Sequence, residues 1–313
     1  MRIFFATDVH GSDRCFTKFV NAATFYGADV LILGGDITGK ALVPFVAAGG
    51  DRYRARFLGQ EVVVGGEELV ELEKRVANTG YYVYRCEPEE ADRLRDAPDL
   101  IGPIFRELML ERVRRWMGLA EERLAPHGIP CYVNAGNDDP AQVDEVIRES
   151  SYVRFLEGTV LQLPDGTELA SCGYANQTPW DCPRDLPEEE LELRLSEVVG
   201  KLNDPERAIV NFHCPPYDSV IDTGPVLGSD MRLKTGAAGV LTGPVGSKAC
   251  RRVIDRVQPM LGLHGHIHES RGTFKLGRTT CINPGSEYTE GILRGALVDV
   301  RRGKVKSHQL TAG

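Results

Sequence analysis

The chain has 313 residues, 42% hydrophobic and 26% charged, the make-up of a globular protein with a sizeable buried core. Its 45 acidic and 37 basic side chains leave a formal net charge of −8, which opposes broad nucleic-acid binding because that needs a basic face. With no run of about 18 apolar residues, and no cleavage site after the short apolar start of MRIFFATDVHG, neither a membrane span nor a secretory leader is expected.

The first predicted element is a buried strand, IFFA (3–6), which runs into Asp8 and His10. A helix follows between Ser12 and Gly27: Phe16, Phe19, Val20 and Ala23 share one face, Ser12 or Asp13 can cap the start, and Gly27 can end it. VLIL (30–33) then leads through two glycines to Asp36, completing a βαβ unit. From about 40 to 128 this rhythm breaks. Leu69, Leu72 and Val76 stand at helical spacing, a longer helical pattern runs from Ile101 through Trp116 to about Arg123, and GYYVYRC between them is a candidate strand. The interval 40–128 reads as a helical insertion or cap at a substrate entrance, within a single domain spanning 1–313. Beyond it, CYV (131–133) leads to Asn137, AIVNF (208–212) to His213, and MLGL (260–263) to His264, His266 and His268. Further helices fit 141–149, 188–202 and 247–257.

Ligand sites in such sheets lie beyond the carboxyl ends of the strands, where each of these polar residues falls. Asp8, His10, Asp36, Asn137, His213, His266 and His268 offer carboxylates, imidazoles and an amide oxygen. That mixture suits divalent Mn, Fe, Co, Ni or Zn rather than Ca or Mg. Seven ligands exceed the need of one ion and suit two with a shared carboxylate; such a pair, about 3.5–4 Å apart, clamps a phosphate.

In chain order the segments read DVH (8–10), GGD (34–36), GNDD (136–139), FHCP (212–215) and GHIH (265–268). They resemble the D-x-H, G-D, G-N-H-[DE], H and G-H-x-H pattern of the calcineurin-like metallophosphoesterases, and INPGS (282–286) resembles the segment that often follows. The resemblance implies an α/β fold, a four-layer αββα sandwich of two mixed sheets flanked by helices, here carrying the insertion. It implies that Asp8, His10 and His268 hold one metal ion, that Asn137, His213 and His266 hold the other, and that Asp36 bridges them. A hydroxide between the ions would attack phosphorus in line. His264 has no counterpart in the pattern, and a packed, supporting role is expected for it.

Two departures from the family pattern carry information. ITGK follows Asp36, without the Asp-Arg-Gly continuation of Ser/Thr protein phosphatases. Asp138 stands where the family has a histidine, its general acid or phosphate contact, so Asp138 and Asn137 are the catalytic candidates. Two divalent ions less Asp8, Asp36 and a hydroxide leave one positive charge. A diester anion neutralises that charge, whereas a monoester dianion overshoots it; Asp138 adds a further negative charge against the dianion. The expected activity is therefore a metal-dependent phosphodiesterase on a small phosphoester, in the cytoplasm, with no membrane partner and nothing opposed to a homo-oligomer. The alternatives are a phosphomonoesterase or nuclease on the same site, or a non-catalytic scaffold like the retromer subunit that resembles this family.

The remaining candidates have plainer readings. The eight cysteines include no C-x-x-C pair and read as buried thiols of a reducing compartment. Cys214 follows His213 and should face the opposite side of its strand, so it is not expected as a nucleophile. His127 and His308 read as solvent-exposed loop residues, YYVY and Trp180 as core packing, and the Gly-Gly pairs as turn or close-packing signals.

Overall fold

The computed structural model describes residues 1–313 except 229, 231, 237 and 238. Two six-stranded sheets form its centre. The first runs in the order Val305–Ala312, Arg294–Val300, Arg2–Ala6, Val30–Leu33, Cys131–Val133, Arg154–Phe155. Its last four strands are parallel and its first two antiparallel. The second sheet runs Gly272–Leu276, Thr279–Asn283, Leu261–Leu263, Ile209–Phe212, Glu168–Cys172, Val160–Gln162, parallel except at its two edges.

Alternation along the strands decides the layering. Ile3, Phe5, Val30 and Ile32 point from the first sheet towards Leu169, Ile209, Leu261 and Ile282 of the second, forming the central core. Their neighbours Phe4, Ala6, Leu31 and Leu33 point outward to helices Asp13–Tyr26, Ile101–Leu124 and Gln142–Arg148. On the far side, Ala170, Cys172, Val210 and Phe212 pack against helices Glu188–Val199 and Lys248–Val257. Strands buried on both faces explain the continuous apolar runs of the sequence. This is the α/β sandwich that the motifs imply.

Local signals set the helix ends. Ser12 accepts from the Cys15 amide at the start of the first helix, and Gly27, at φ 59°, terminates it. Ser247 caps the helix beginning at Lys248 in the same way.

The interval 40–128 divides in two. Its long helix, Ile101–Leu124, belongs to the outer layer of the first sheet: Trp116 stacks on Phe16 with ring centroids 4.3 Å apart and donates to Asp13 at 2.7 Å. The part before it carries the expected helix, Gly66–Asn78, and strand, Tyr82–Cys86, but also three strands the sequence does not announce, Leu42–Ala47, Arg52–Phe57 and Gln60–Gly65. Together the four strands make a separate sheet, in the order Gln60–Gly65, Arg52–Phe57, Leu42–Ala47, Tyr82–Cys86. Val43, Phe45, Ala55 and Phe57 close a small core under Leu69, Leu72 and Val76. The strands Arg52–Phe57 and Gln60–Gly65 bury one face only, so RYRARF and QEVVVG carry charge on the other and lack a long apolar run.

Two smaller expectations are corrected. Trp180 is 69% exposed rather than packed, within a run, 177–183, in which no residue is buried. His308 is exposed as expected but lies on the outermost strand of the first sheet rather than in a loop, and His127, also exposed, ends the short 3-10 helix Ala125–His127. Cys214 packs in the outer core of the second sheet, away from the His213 side.

Candidate metal centre

The five motif segments meet at one end of the paired sheets. Asp8, His10, Asp36, Asn137 and His213 are buried there, while His266 and His268 are partly open. The ligand-type atoms of Asp8, His10 and His268 lie within 4.8 Å of one another, and so do those of Asp36, His213 and His266. Asp36 Oδ2 lies between the two groups, 3.3 Å from His213 Nε2 and 3.7 Å from His10 Nε2. Asn137 joins the second group through Oδ1, 2.9 Å from His266 Nδ1. All seven residues singled out in the sequence are thus brought together, in the two sets that the family pattern implies.

Strained backbone holds them. Asp8, His10, Asp36 and His266 have φ of 53°, 38°, 48° and 67°, in the left-handed region that costs a non-glycine residue on the order of 1–3 kcal/mol. Neighbouring groups over-determine these turns. The amides of Asp8 and His10 donate to the carbonyls of Gly35 and Asp36 at 2.9 and 3.0 Å. The His266 amide donates to both Asp8 carboxylate oxygens at 3.1 Å, and Ser286 Oγ to the Asp8 carbonyl at 2.6 Å. Gly136 must be glycine because a Cβ there would fall 2.2 Å from Asp36 Oδ1.

The electrostatics call for cations. Burial works to raise the Asp8 carboxyl, but the hydrogen bond from His268 and the charge of His213 outweigh it and hold Asp8 at about 2. Burial is likewise overcome at Asp36, held well below its usual range by His213 and His10. On the imidazoles, burial opposes charge, yet Asp36 and Asp8 push His213 up to about 10, and Asp8 raises His268. Burial wins at His10 and His266, both down to about 4. The two buried carboxylates thus favour positive charge on one imidazole in each group, His268 and His213, as they would favour a bound cation. Both ring nitrogens of His213 and Nδ1 of His10 are buried without a hydrogen-bond partner. His213 Nε2 is near Asp36 but poorly directed for a hydrogen bond, so charge alone joins them. His10 Nε2 and His268 Nε2 face one another at 3.0 Å. Converging nitrogen and oxygen atoms, two of them anionic and several unsatisfied, fit transition-metal ions.

Several residues support the site, two of them, Asp185 and Tyr288, with no signal of their own in the sequence. Asp185 accepts from Asn137 Nδ2 at 2.9 Å, which turns the Asn137 oxygen towards the ligands. Asp139, the second acid of GNDD, accepts from the amides of Ile37, Thr38 and Gly136 at 3.0, 2.9 and 2.7 Å, stapling two ligand loops together. Buried there beside Asp36, its carboxyl is raised to about 6. Tyr288 packs over His10, with centroids 4.7 Å apart. His264 belongs to neither ligand group: its Nδ1 lies 2.8 and 3.1 Å from the carbonyls of Phe212 and Cys214, bracing the backbone on both sides of His213.

Asp138 has a different setting from the one its charge suggested. Its Oδ2 forms an ion pair with Lys40, the lysine of ITGK, and its Oδ1 accepts from the Cys182 thiol at 2.9 Å. His10 Nδ1 is 3.8 Å away from Asp138 Oδ2. Both carboxylate oxygens thus act as acceptors, an arrangement that leaves no proton to donate.

No family model matches the sequence. An uncharacterised protein of Methanocaldococcus jannaschii is 28% identical over 142 residues, 45% of this chain, and the match spans 58% of that relative's length. One solved structure, 16% identical, covers all of this chain and 98% of its own with a TM-score of 0.56. A structure from Thermus thermophilus, 17% identical, covers all of this chain and 97% of its own at 0.52. These likenesses show the fold. With its five motifs in order at the strand ends, the chain has the α/β sandwich that its resemblance to the calcineurin-like metallophosphoesterases implies. Among the described residues no helix is long and apolar enough to cross a membrane.

Proposed function

We propose that the chain is a dinuclear metal-dependent phosphodiesterase. The observation that carries the reading is the place of Asp36, within 3.7 Å of a ligand nitrogen in each of two separate Asp/His groups. Asp8, His10 and His268 would hold one ion and Asn137, His213 and His266 the other, with Asp36 shared. Bound there, two divalent ions supply Lewis-acid neutralisation of a phosphate and a nucleophile made from water at neutral pH.

The chain's own residues set the rest. Asp185 holds the Asn137 amide in one orientation, and the His266 amide fixes the Asp8 carboxylate. Tyr288 covers His10 on one side of the site. Charge supports a diester. Four positive charges from the ions, less Asp8 and Asp36, leave two, which a hydroxide nucleophile and a diester anion neutralise. Asp138 and Lys40 cancel one another in this count, so the preference for a diester rests on the metal ligands and not on Asp138. Because Asp138 donates no proton in this arrangement, esters with acidic leaving groups should react best. A positioned general acid is worth about 10²–10⁴-fold when the leaving group is poor.

The test is direct. Metal content would be measured by elemental analysis, and hydrolysis of bis(p-nitrophenyl) phosphate before and after chelation, with Mn²⁺, Fe²⁺, Co²⁺, Ni²⁺ or Zn²⁺ restored. Two ions per chain and chelator-sensitive diester cleavage are expected. A chain that binds two ions but cleaves neither diester nor monoester would be a scaffold instead.

A further inference from the structure

Lys40 faces two ways. Its ammonium pairs with Asp138 beside His10, and the same residue lines a groove of about 370 Å³ between the insert's sheet and the start of the helix Ile101–Leu124. Leu42, Pro44, Leu94, Ile101 and Phe105 supply the groove's apolar surface. Its three polar side chains each have a partner: the Tyr84 hydroxyl donates to Glu90 at 2.8 Å, Arg95, largely exposed, pairs with Asp92 at 2.8 Å, and Lys40 pairs with Asp138. No carboxylate lines it.

We infer that this groove is the subsite for one ester group of the phosphodiester, and that the group it takes is an apolar alcohol, alkyl or aryl. The inference rests on the phosphodiesterase reading for the position of the phosphate. Continuity through Lys40 places the groove beside that phosphate, and its volume falls in the range of small-molecule sites. The apolar majority of the lining selects the chemistry. A nucleobase or sugar would bury its hydrogen-bonding edge without partners, at a cost an alkyl chain does not meet. The insert thus acts on the reaction without supplying a metal ligand, by choosing what hangs from the phosphate.

The experiment compares methyl, butyl and octyl p-nitrophenyl phosphates, with thymidine p-nitrophenyl phosphate, on the metal-loaded protein. Alongside it, calorimetry measures binding of methyl-, butyl- and octyl-methylphosphonates, whose alkoxide is a poor leaving group and makes them slow to hydrolyse. For the wild type, kcat/KM is expected to rise with chain length by up to about fourfold per methylene. Phosphonate binding should tighten in parallel, with an increasingly negative heat-capacity change. Ile101→Asp should flatten both series, and Leu58→Asp, at an exposed turn of the insert outside the groove, should keep both slopes. If Ile101→Asp does not fold, Pro44→Asp, at an exposed strand position, replaces it and carries the same expectation. A flat wild-type series, or faster cleavage of the thymidine ester than of the octyl ester, overturns the inference. Chain-length-dependent phosphonate binding without hydrolysis of any diester would support the groove and sink the phosphodiesterase reading instead.

Discussion

The ligand cradle and the insert's sheet are built on opposite terms. In the cradle, side chains from five segments converge, four candidate ligands sit in left-handed backbone, and two buried carboxylates remain anionic. In the insert, four strands and a helix close an apolar core with charge confined to the outer face. A cradle of this kind opposes its own folding, since buried charge and positive φ both cost free energy, and the sandwich around it must carry that load. The insert bears no such load and is free to shape a groove. The two meet at Gly80, where a Cβ would fall 2.1 Å from the His10 carbonyl.

The comparison is broken most severely at the shared carboxylate. Asp36→Asn removes the charge that both ligand groups use, and is expected to lower turnover on the order of 10³-fold with loss of bound metal. Retention of two ions and normal turnover would show that the groups are not joined there. Next comes Asp185→Ala, which frees the Asn137 amide to rotate. Losing such an outer partner typically costs about 10–100-fold in metal affinity or activity; an unchanged metal titration would make Asp185 a loop residue only.

Gly80→Ala tests whether the two regions are mechanically separate. The added methyl must displace the His10 loop, and Gly80 sits at φ 89°, so stability should fall by about 1–3 kcal/mol with weaker metal binding. Loss of stability with full metal affinity would uncouple insert from cradle.

Proton competition gives a graded effect that belongs to the cradle alone. His213 in the metal-free protein is raised from 6.5 to about 10, chiefly by Asp36 and Asp8 against burial. Its proton stabilises the metal-free fold fully below pH 6.5, and that contribution is lost as pH rises through about 10. Metal must displace the same proton, so affinity should rise with pH across this window, by up to about tenfold per unit for one proton. Calorimetry in buffers of different ionisation enthalpy would count the protons released; none released at pH 8 would contradict the assignment of His213.

The smallest effect sits on the border. Lys40→Met leaves Asp138 unpaired, and the half-exposed position screens the change. The ratio of diester to monoester kcat/KM should rise about three- to tenfold, and Asp138→Asn should lower it. If Asp138→Asn abolished alkyl-diester cleavage but spared p-nitrophenyl esters, Asp138 would be a proton donor after all.

What the sequence determined by itself is local. Apolar runs such as VLIL mark strands buried on both faces, Ser12 and Gly27 mark helix ends, and the order of DVH, GGD, GNDD, FHCP and GHIH marks the ligand set, because each signal lies within a few consecutive residues. What tertiary structure decided is long-range. The meeting of Lys40 with Asp138 and of Asp138 with Cys182, the turn of His264 away from the candidate ligands, and the Asp185 hold on Asn137 join residues 44 to 98 positions apart. The strands Arg52–Phe57 and Gln60–Gly65 escaped because a strand buried on one face needs few apolar residues, and their hairpin pairing, not their own periodicity, satisfies their backbone. Asp138 shows the difference most clearly: its charge is legible in the sequence, but only the fold brings up the lysine that neutralises it.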